Sequence, residues 1–239
     1  MSSFSSLIPL NDVARLEALH QYQHLSVFGE ELFDDLVHLT AKLFMAPIAL
    51  VSLVEKDTVQ VISFAGIPDS ERIGRHESLC SVAILHEGTT VFESLADTPC
   101  PLIDPWVIEC LNLQFYAGHP LRTPRGYAIG NLCIIDYRAR AFSKLERKLL
   151  ASLAKVVMHL LELRALMGQD AEVAALWSTI YHRVLPPLTR IQTLAELSSR
   201  HEDPDTTVVH FYRKAVCEEA ALMACILKEE VHASLARLP

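Results

Sequence analysis

Apolar residues recur every three to four positions in two stretches near the start of the chain. Val13, Leu16, Leu19 and Tyr22 follow the capping residues Asn11 and Asp12, and Leu32, Phe33, Leu36, Val37, Leu39, Leu43 and Phe44 continue the pattern until Pro47. Each stretch predicts an amphipathic helix, the first opening at 11–12 and the second spanning about 30–44. The period then changes. Ile48–Val54 is apolar at nearly every position, and Thr58–Ala65 follows after Glu55-Lys56-Asp57. This predicts two buried strands joined by a hairpin turn. Ser78 is placed to cap a short helix over 79–85, and 89–92 reads as a short strand. The stretch 96–105 carries Pro99, Pro101 and Pro105 and reads as a loop. Strands are predicted at 113–121 and 128–136, separated by a Pro124-Arg125-Gly126 turn. Ser143 with Glu146 three residues later forms a capping box at the head of a long helix.

Beyond Ser143 only helical periodicity is present. Gly168-Gln169-Asp170 is at most a weak break, a helix is predicted from Asp170 to about Arg200, and 201–205 reads as a turn. Asp205 or Thr206 then caps a last helix to about Leu235. In the first of these helices Trp177, Tyr181, Val184, Leu188, Ile191 and Ala195 step by four and three, the spacing of a coiled-coil seam. Ile180, Leu185 and Leu194 widen it, and the last helix is apolar over a broad arc that includes Val208, Phe211, Val216, Leu222, Met223 and Leu227. A hairpin with this much apolar surface is expected to pair with a second copy as a four-helix bundle. The fold class is therefore α+β: an antiparallel sheet with flanking helices over 1–167, followed by an all-α hairpin over 168–239 that forms a dimeric bundle.

Composition sharpens this division. Of the eight glycines in 239 residues, only Gly168 lies beyond Gly130. The front is rich in turns and the back is nearly glycine-free, so a Gly-rich phosphate cradle in the back is excluded. With 51% hydrophobic residues, general disorder is excluded too. A net charge of −8 without a basic run argues against nucleic acid as a partner. The N-terminus lacks a positive segment followed by a long apolar one. The run 45–54 is too short to span a bilayer, and Lys155, His159, Glu162 and Arg164 interrupt the Leu-rich stretch 149–167. No membrane partner and a cytoplasmic location are expected. Cys80, Cys100, Cys110, Cys133, Cys217 and Cys225 include no CxxC pair and are expected as reduced thiols. The closest approach to a metal cluster, His76, Cys80 and His86, lacks convincing ligand spacing, so no metal site is predicted.

Several separated motifs then resemble one family in order and spacing. The string from Phe115 to Asp136 is similar to the closing strands of a GAF domain, Pro47–Val54 to its first strand, Arg75-His-Glu-Ser-Leu-Cys80 with Ile84 to the segment entering its pocket helix, and Leu163-Arg164 to the end of its last helix. The resemblance covers about 10–165. It implies a central antiparallel sheet with helices on one face, and a small-molecule pocket on the other beneath the segment 75–113. It also implies a sensory or regulatory role. Arg75, Ser78, Cys80, Tyr116 and His119 fall in pocket-facing segments of the family and are the candidate ligand-binding residues for an unknown small molecule. No cofactor is evident: the Asp-Cys-His-type signature of bilin-carrying members is missing. Members that reduce free methionine sulfoxide use paired pocket cysteines, whose spacing Cys80, Cys100, Cys110 and Cys133 do not match. Whether two of these thiols meet is a structural question.

In the back, Tyr181-His-Arg-Val-Leu-Pro-Pro-Leu-Thr-Arg-Ile191 resembles the H-box of the dimerisation and histidine-phosphotransfer helices of sensor histidine kinases. The resemblance implies that His182 is a phosphoacceptor. His182 lies one residue past a seam position and is expected to face solvent. Pro186 and Pro187 cannot donate to the carbonyls of His182 and Arg183, so a loosened, kinked backbone is expected there. Two departures stand out. Arg183 replaces the acidic residue that usually follows the histidine, and the boxes of an ATP-binding domain do not follow. The phosphoryl group is therefore expected from a response-regulator receiver domain or a kinase in trans. The alternative is a regulatory scaffold whose hairpin dimerises and binds a partner without chemistry. A third reading, a GAF-type redox enzyme, rests on Cys80.

Overall fold

The structure is a computed structural model that describes residues 4–23, 31–66, 72–167, 171–200 and 206–235. The chain divides into two compact units, Met1–Ala154 and Lys155–Pro239.

The first unit is built on a six-stranded antiparallel sheet in the order β3-β2-β1-β6-β5-β4. The strands are β1 (Ile48–Val54), β2 (Thr58–Ala65), β3 (Arg72–Gly74), β4 (Thr90–Phe92), β5 (Phe115–Arg122) and β6 (Ala128–Asp136). Helices α1 (Asp12–Gln23) and α2 (Glu31–Leu43) precede the sheet, α3 (Leu79–Ala83) and α4 (Pro105–Cys110) lie between strands, and α5 (Lys144–Met167) follows. The two central strands, β1 and β6, are buried on both faces, which explains their near-continuous apolar runs.

The five predicted strands are present, and the structure adds β3 and α4. Three residues are too few to display an alternation. Only pairing with β2, through Thr58 opposite Gly74 and Gln60 opposite Arg72, makes β3 a strand. At α4, Pro105 occupies the first helical turn, where its missing N–H costs nothing. Asp104 caps the helix by accepting from the Trp106 N–H at 3.0 Å. A proline cluster thus disguised a helix start as a loop. The capping box at α5 forms as predicted: Glu146 N–H donates to Ser143 Oγ at 3.2 Å and Ser143 N–H to Glu146 Oε2 at 2.8 Å.

Each face of the sheet has its own cover. Leu50, Val59, Val61, Tyr116 and Cys133 join α3 and the segment 95–108 in one apolar cluster. Helix α2 packs on β1 and β2, and Ser63 of β2 donates to Asp34 of α2 at 2.7 Å. Phe115 and Phe44 both stack on Phe142, with ring centroids 5.6 Å apart in each pair.

The second unit holds the latter half of α5, α6 (Ala171–Ser199) and α7 (Thr207–Leu235). The unit boundary falls inside α5 rather than near Gly168, because the helix runs on through residue 167. Gly168-Gln169-Asp170 and the turn at 201–205 lie outside the described residues. Thr206 caps α7, accepting from Val209 N–H at 3.3 Å. In α6 the seam residues Val184, Leu188 and Ile191 are fully buried and Ala195 nearly so; in α7 Val209, Val216, Ala220, Met223 and Leu227 answer them at similar spacing. Helices α6 and α7 pack against each other, and Arg190–Glu219 at 2.8 Å links them. The predicted seam therefore joins two helices of the same chain. The side chains of Trp177, Ile180 and Tyr181 lie outside the described residues. Helix α6 continues through Pro186 and Pro187, with no break at the predicted loosening.

Candidate functional site

The candidate site lies where α3 meets the centre of the sheet. Ser78 adopts an extended backbone and accepts from the Cys80 N–H at 3.3 Å, which sets Cys80 in the first turn of α3. On the facing strand, register places Ser52, Asn131 and Pro120 in one row, Leu50, Cys133 and Gly118 in the next, and Ile48, Ile135 and Tyr116 in the third. Side chains alternate along strands, so these residues share a face. Asn131 donates from Nδ2 to the carbonyl of Cys80 at 3.1 Å and clamps the helix to the sheet. Tyr116 reaches the same amide, donating to Asn131 Oδ1 at 3.5 Å.

Gly118 makes that reach possible. A Cβ on Gly118 would lie 2.2 Å from the Tyr116 hydroxyl and 2.7 Å from Cζ, so the phenol lies flat over a position that tolerates no side chain. Beside it, Cys80 Sγ and Cys133 Sγ are 3.9 Å apart, both fully enclosed. The thiols titrate in opposite directions. Hydrogen bonding with Cys133, outweighing burial, lowers Cys80 to about 6. Burial raises Cys133 well above the usual thiol range, and burial likewise raises Tyr116. The Ser52 hydroxyl faces Cys80 and helps lower it, and the buried Ser81 hydroxyl has no hydrogen-bond partner among the described residues. This is a polar cluster inside an otherwise apolar core.

An apolar cavity of about 70 Å³ opens against it, with Leu50, Val61, Ile73 and Ile108 among its walls and Ser78, Cys80 and Tyr116 at its polar end. Pockets for drug-sized ligands run from ~300 Å³ upward. A bilin or a nucleotide does not fit this conformation, whereas water-sized solutes do.

Three of the five predicted pocket residues, Ser78, Cys80 and Tyr116, line this cavity, while Arg75 and His119 do not. Arg75 is a buried pin. It donates to the carbonyls of Leu7 (2.8 Å), Lys56 (3.2 Å) and Glu55 (3.4 Å) and pairs with Asp12 at 3.4 Å. Asp12 also holds the buried Arg15 at 2.7 Å, and Arg15 donates onward to Val54 O at 2.6 Å. Arg75 thereby ties the N-terminal segment and α1 to the β1–β2 turn. His119 is three residues from Tyr116 on β5, so strand alternation puts it on the opposite face, where it bonds Thr89 Oγ1 at 2.9 Å. Grouping Tyr116 with His119 violated the period of a strand. Asn131 and Gly118 are site residues that the sequence does not single out, and Cys133 is the one of the four candidate thiols that meets Cys80. The β5–β6 hairpin could have indicated them, since its register pairs Gly118 with Cys133.

The second candidate, His182, is exposed on α6. Leu185, Pro186, Thr189 and Thr193 follow it at helical spacing and line a shallow groove of about 620 Å³ with Arg190 and Glu219. The next residue, Arg183, is paired with Glu230 and lies 4.0 Å from Glu229 of α7. Among the described residues, no three His, Cys, Asp or Glu side chains gather as a metal site, and no helix is long and apolar enough to cross a membrane.

Comparison with known proteins adds one relative and two similar structures. The chain is 30% identical over 153 residues to cyclic di-GMP phosphodiesterase PA2567 of Pseudomonas aeruginosa, covering 63% of this chain but only 26% of that protein. Among solved structures, it is similar to the free methionine-R-sulfoxide reductase of Neisseria meningitidis, with 19% identity, TM-score 0.47 and coverage of 62% of this chain and 84% of that one. It is also similar to the GAF domain of an Acinetobacter phosphoenolpyruvate-protein phosphotransferase, with 13% identity, TM-score 0.46 and coverage of 64% and 94%. The GAF domain family itself matches residues 29–161, more than half the chain and the whole β1–β6 sheet. This protein belongs to the GAF domain family.

Proposed function

We propose that this protein is a cytoplasmic signal-transduction sensor in which the GAF domain controls a dimeric helical hairpin, with His182 as the phosphoacceptor of a two-component-type relay. The observation that carries this reading is the placement of His182. It is exposed at the head of a helical stripe whose next residues line an open groove on α6, a surface able to receive a receiver domain. Helix α5 starts in the GAF unit and ends in the hairpin unit, so it is the covalent route for a signal. Dimerisation is supported by apolar side chains left exposed on the hairpin: Leu185 on α6 and Val208, Phe211 and Leu222 on α7. The test is transfer from a receiver domain charged with acetyl phosphate. Wild type should acquire an acid-labile label that His182→Ala lacks, and equal labelling of both would overturn the proposal. The activity named for the Pseudomonas aeruginosa relative belongs to a protein of which this chain spans about a quarter, 26%, and is not part of this reading.

A second reading is a scaffold whose hairpin dimerises without chemistry. The Arg183–Glu230 pair favours it, because the position after the histidine carries a structural cation where the H-box pattern has an acidic residue. It predicts that His182→Ala signals as wild type does while Phe211→Asp abolishes the dimer.

A further inference from the structure

Cys80, in the cavity wall, and Cys133, which touches it, have no role in phosphotransfer. Their surroundings are unusual for structural cysteines, which sit among apolar atoms and remain inert. Cys80 and Cys133 touch at 3.9 Å, far apart in sequence but fixed on rigid elements, one at the capped start of α3 and one at the middle of β6. Asn131 holds the Cys80 carbonyl, Tyr116 lies across the neighbouring row, and the buried hydroxyl of Ser81, next to Cys80 in the chain, has no hydrogen-bond partner among the described residues. Cys80 forms part of the cavity wall, and the cavity admits molecules about the size of water.

We infer that Cys80 and Cys133 form a redox-active dithiol that hydrogen peroxide, or a similarly small hydroperoxide, reaches through the cavity and converts to a disulfide linking α3 to the centre of the sheet. The Cys80 thiolate attacks one peroxide oxygen. The O–O bond breaks, Cys80 becomes a sulfenic acid, and the departing hydroxide takes a proton and leaves as water. Cys133 sulfur then attacks Cys80 sulfur, the S–O bond breaks, and the hydroxide takes the Cys133 proton as a second water. Two electrons pass from the sulfurs to the peroxide, and one peroxide is consumed for each disulfide. Closing the bond requires the sulfurs to approach from 3.9 Å to about 2 Å. That movement pulls on the first turn of α3, five residues from the Arg75 pin. The charge asymmetry of the pair fits the assigned roles, since Cys80 holds the thiolate and Cys133 keeps its proton until the second step.

This inference rests on the GAF cavity alone and stands apart from the role proposed for His182. The full-length protein would be titrated with hydrogen peroxide, quenched in acid, denatured, and alkylated for intact-mass and peptide analysis. Wild type should pass from six alkylatable cysteines to four with a Cys80–Cys133 cross-linked peptide, and dithiothreitol should restore six. Cys133→Ser should stop at a dimedone-reactive sulfenic acid on Cys80, and Cys80→Ser should form neither product. His182→Ala should oxidise as wild type does, so the two proposals succeed or fail separately. The exposed Cys110 and Cys225 serve as internal references, over which Cys80 should react about tenfold faster near neutral pH. Retention of the Cys80 and Cys133 thiols while Cys110 and Cys225 become oxidised would overturn the inference. So would a disulfide that forms equally well in both serine variants.

Discussion

Replacing Gly118 with alanine tests the packing of the candidate site most directly. The new methyl carbon would stand 2.2 Å from the Tyr116 hydroxyl, 2.7 Å from Cζ and 3.0 Å from Cε1. None of these separations is tolerable, so the ring must move. Tyr116 is fully buried, with the Phe92 ring centroid 6.4 Å away. The displaced phenol must therefore push on packed neighbours and abandon Asn131. Overpacking of this kind costs about 1–3 kcal/mol. A buried polar group left without its partner adds about 1–3 kcal/mol. Against this, alanine restricts the unfolded chain and returns about 0.5–1 kcal/mol. The expected net loss is about 2–4 kcal/mol, read as a lower urea midpoint for the sheet domain. Hydrogen exchange of β5 and β6 amides should accelerate in parallel. Tyr116→Phe removes the nearest clashing atom, so the double variant should be less destabilised than the sum of the singles by about 1 kcal/mol. Additivity within about 0.5 kcal/mol, or a neutral Gly118→Ala, would refute the arrangement of Tyr116 over Gly118.

Four further outcomes follow from the same structure. Arg75→Met should destabilise the GAF unit by about 3 kcal/mol, because it strands the carbonyl of Leu7 and leaves Asp12 with Arg15 as its one remaining cation among the described residues; amide exchange in α1 should rise, and unchanged exchange there would argue against the pin. Leu188→Asp places a charge at a fully buried seam position and should cost the hairpin its helicity by circular dichroism. Phe211→Asp, at a side chain 65% exposed, should keep helicity while light scattering shows a monomer in place of a dimer. The rate of Cys80 oxidation should be level above pH 7 and fall as pH drops through about 6, because protonation removes the thiolate nucleophile; Cys133→Ala, which removes the donor, should move the fall to higher pH, and a profile unmoved by that substitution would exclude Cys133 as the stabilising partner.

Local signals carried most of the fold. Strands β1, β2 and β6 have the boundaries that their apolar runs and flanking turns indicate, and Ser143 with Glu146 marks the start of α5 to the residue. These features depend on backbone propensity and on caps within a few positions, which one segment contains in full. Where the signal was not local, it was missed. Strand β3 exists only through its pairing with β2; at α4 the cap is local, Asp104 before Pro105, but the surrounding prolines read equally well as a loop.

The candidate site divides along the same line. Residue order alone identified the family segments and brought Ser78, Cys80 and Tyr116 forward, because the capped entry to α3 and the β5 motif are contiguous strings. The hairpin seam was likewise legible as a spacing, since Val184, Leu188, Ile191 and Ala195 are one face of one helix. What a spacing cannot state is the identity of the facing surface. The seam meets α7 of the same chain, and Phe211 and Leu222 stay exposed on α7. Tertiary structure alone also decided that Arg75 braces the N-terminus and that Cys80 and Cys133, separated by 53 positions, touch. Each of these depends on strand register and on a helix docked over the sheet. Register follows from the sum of many weak side-chain contacts across the whole sheet, and no short window of sequence contains that sum.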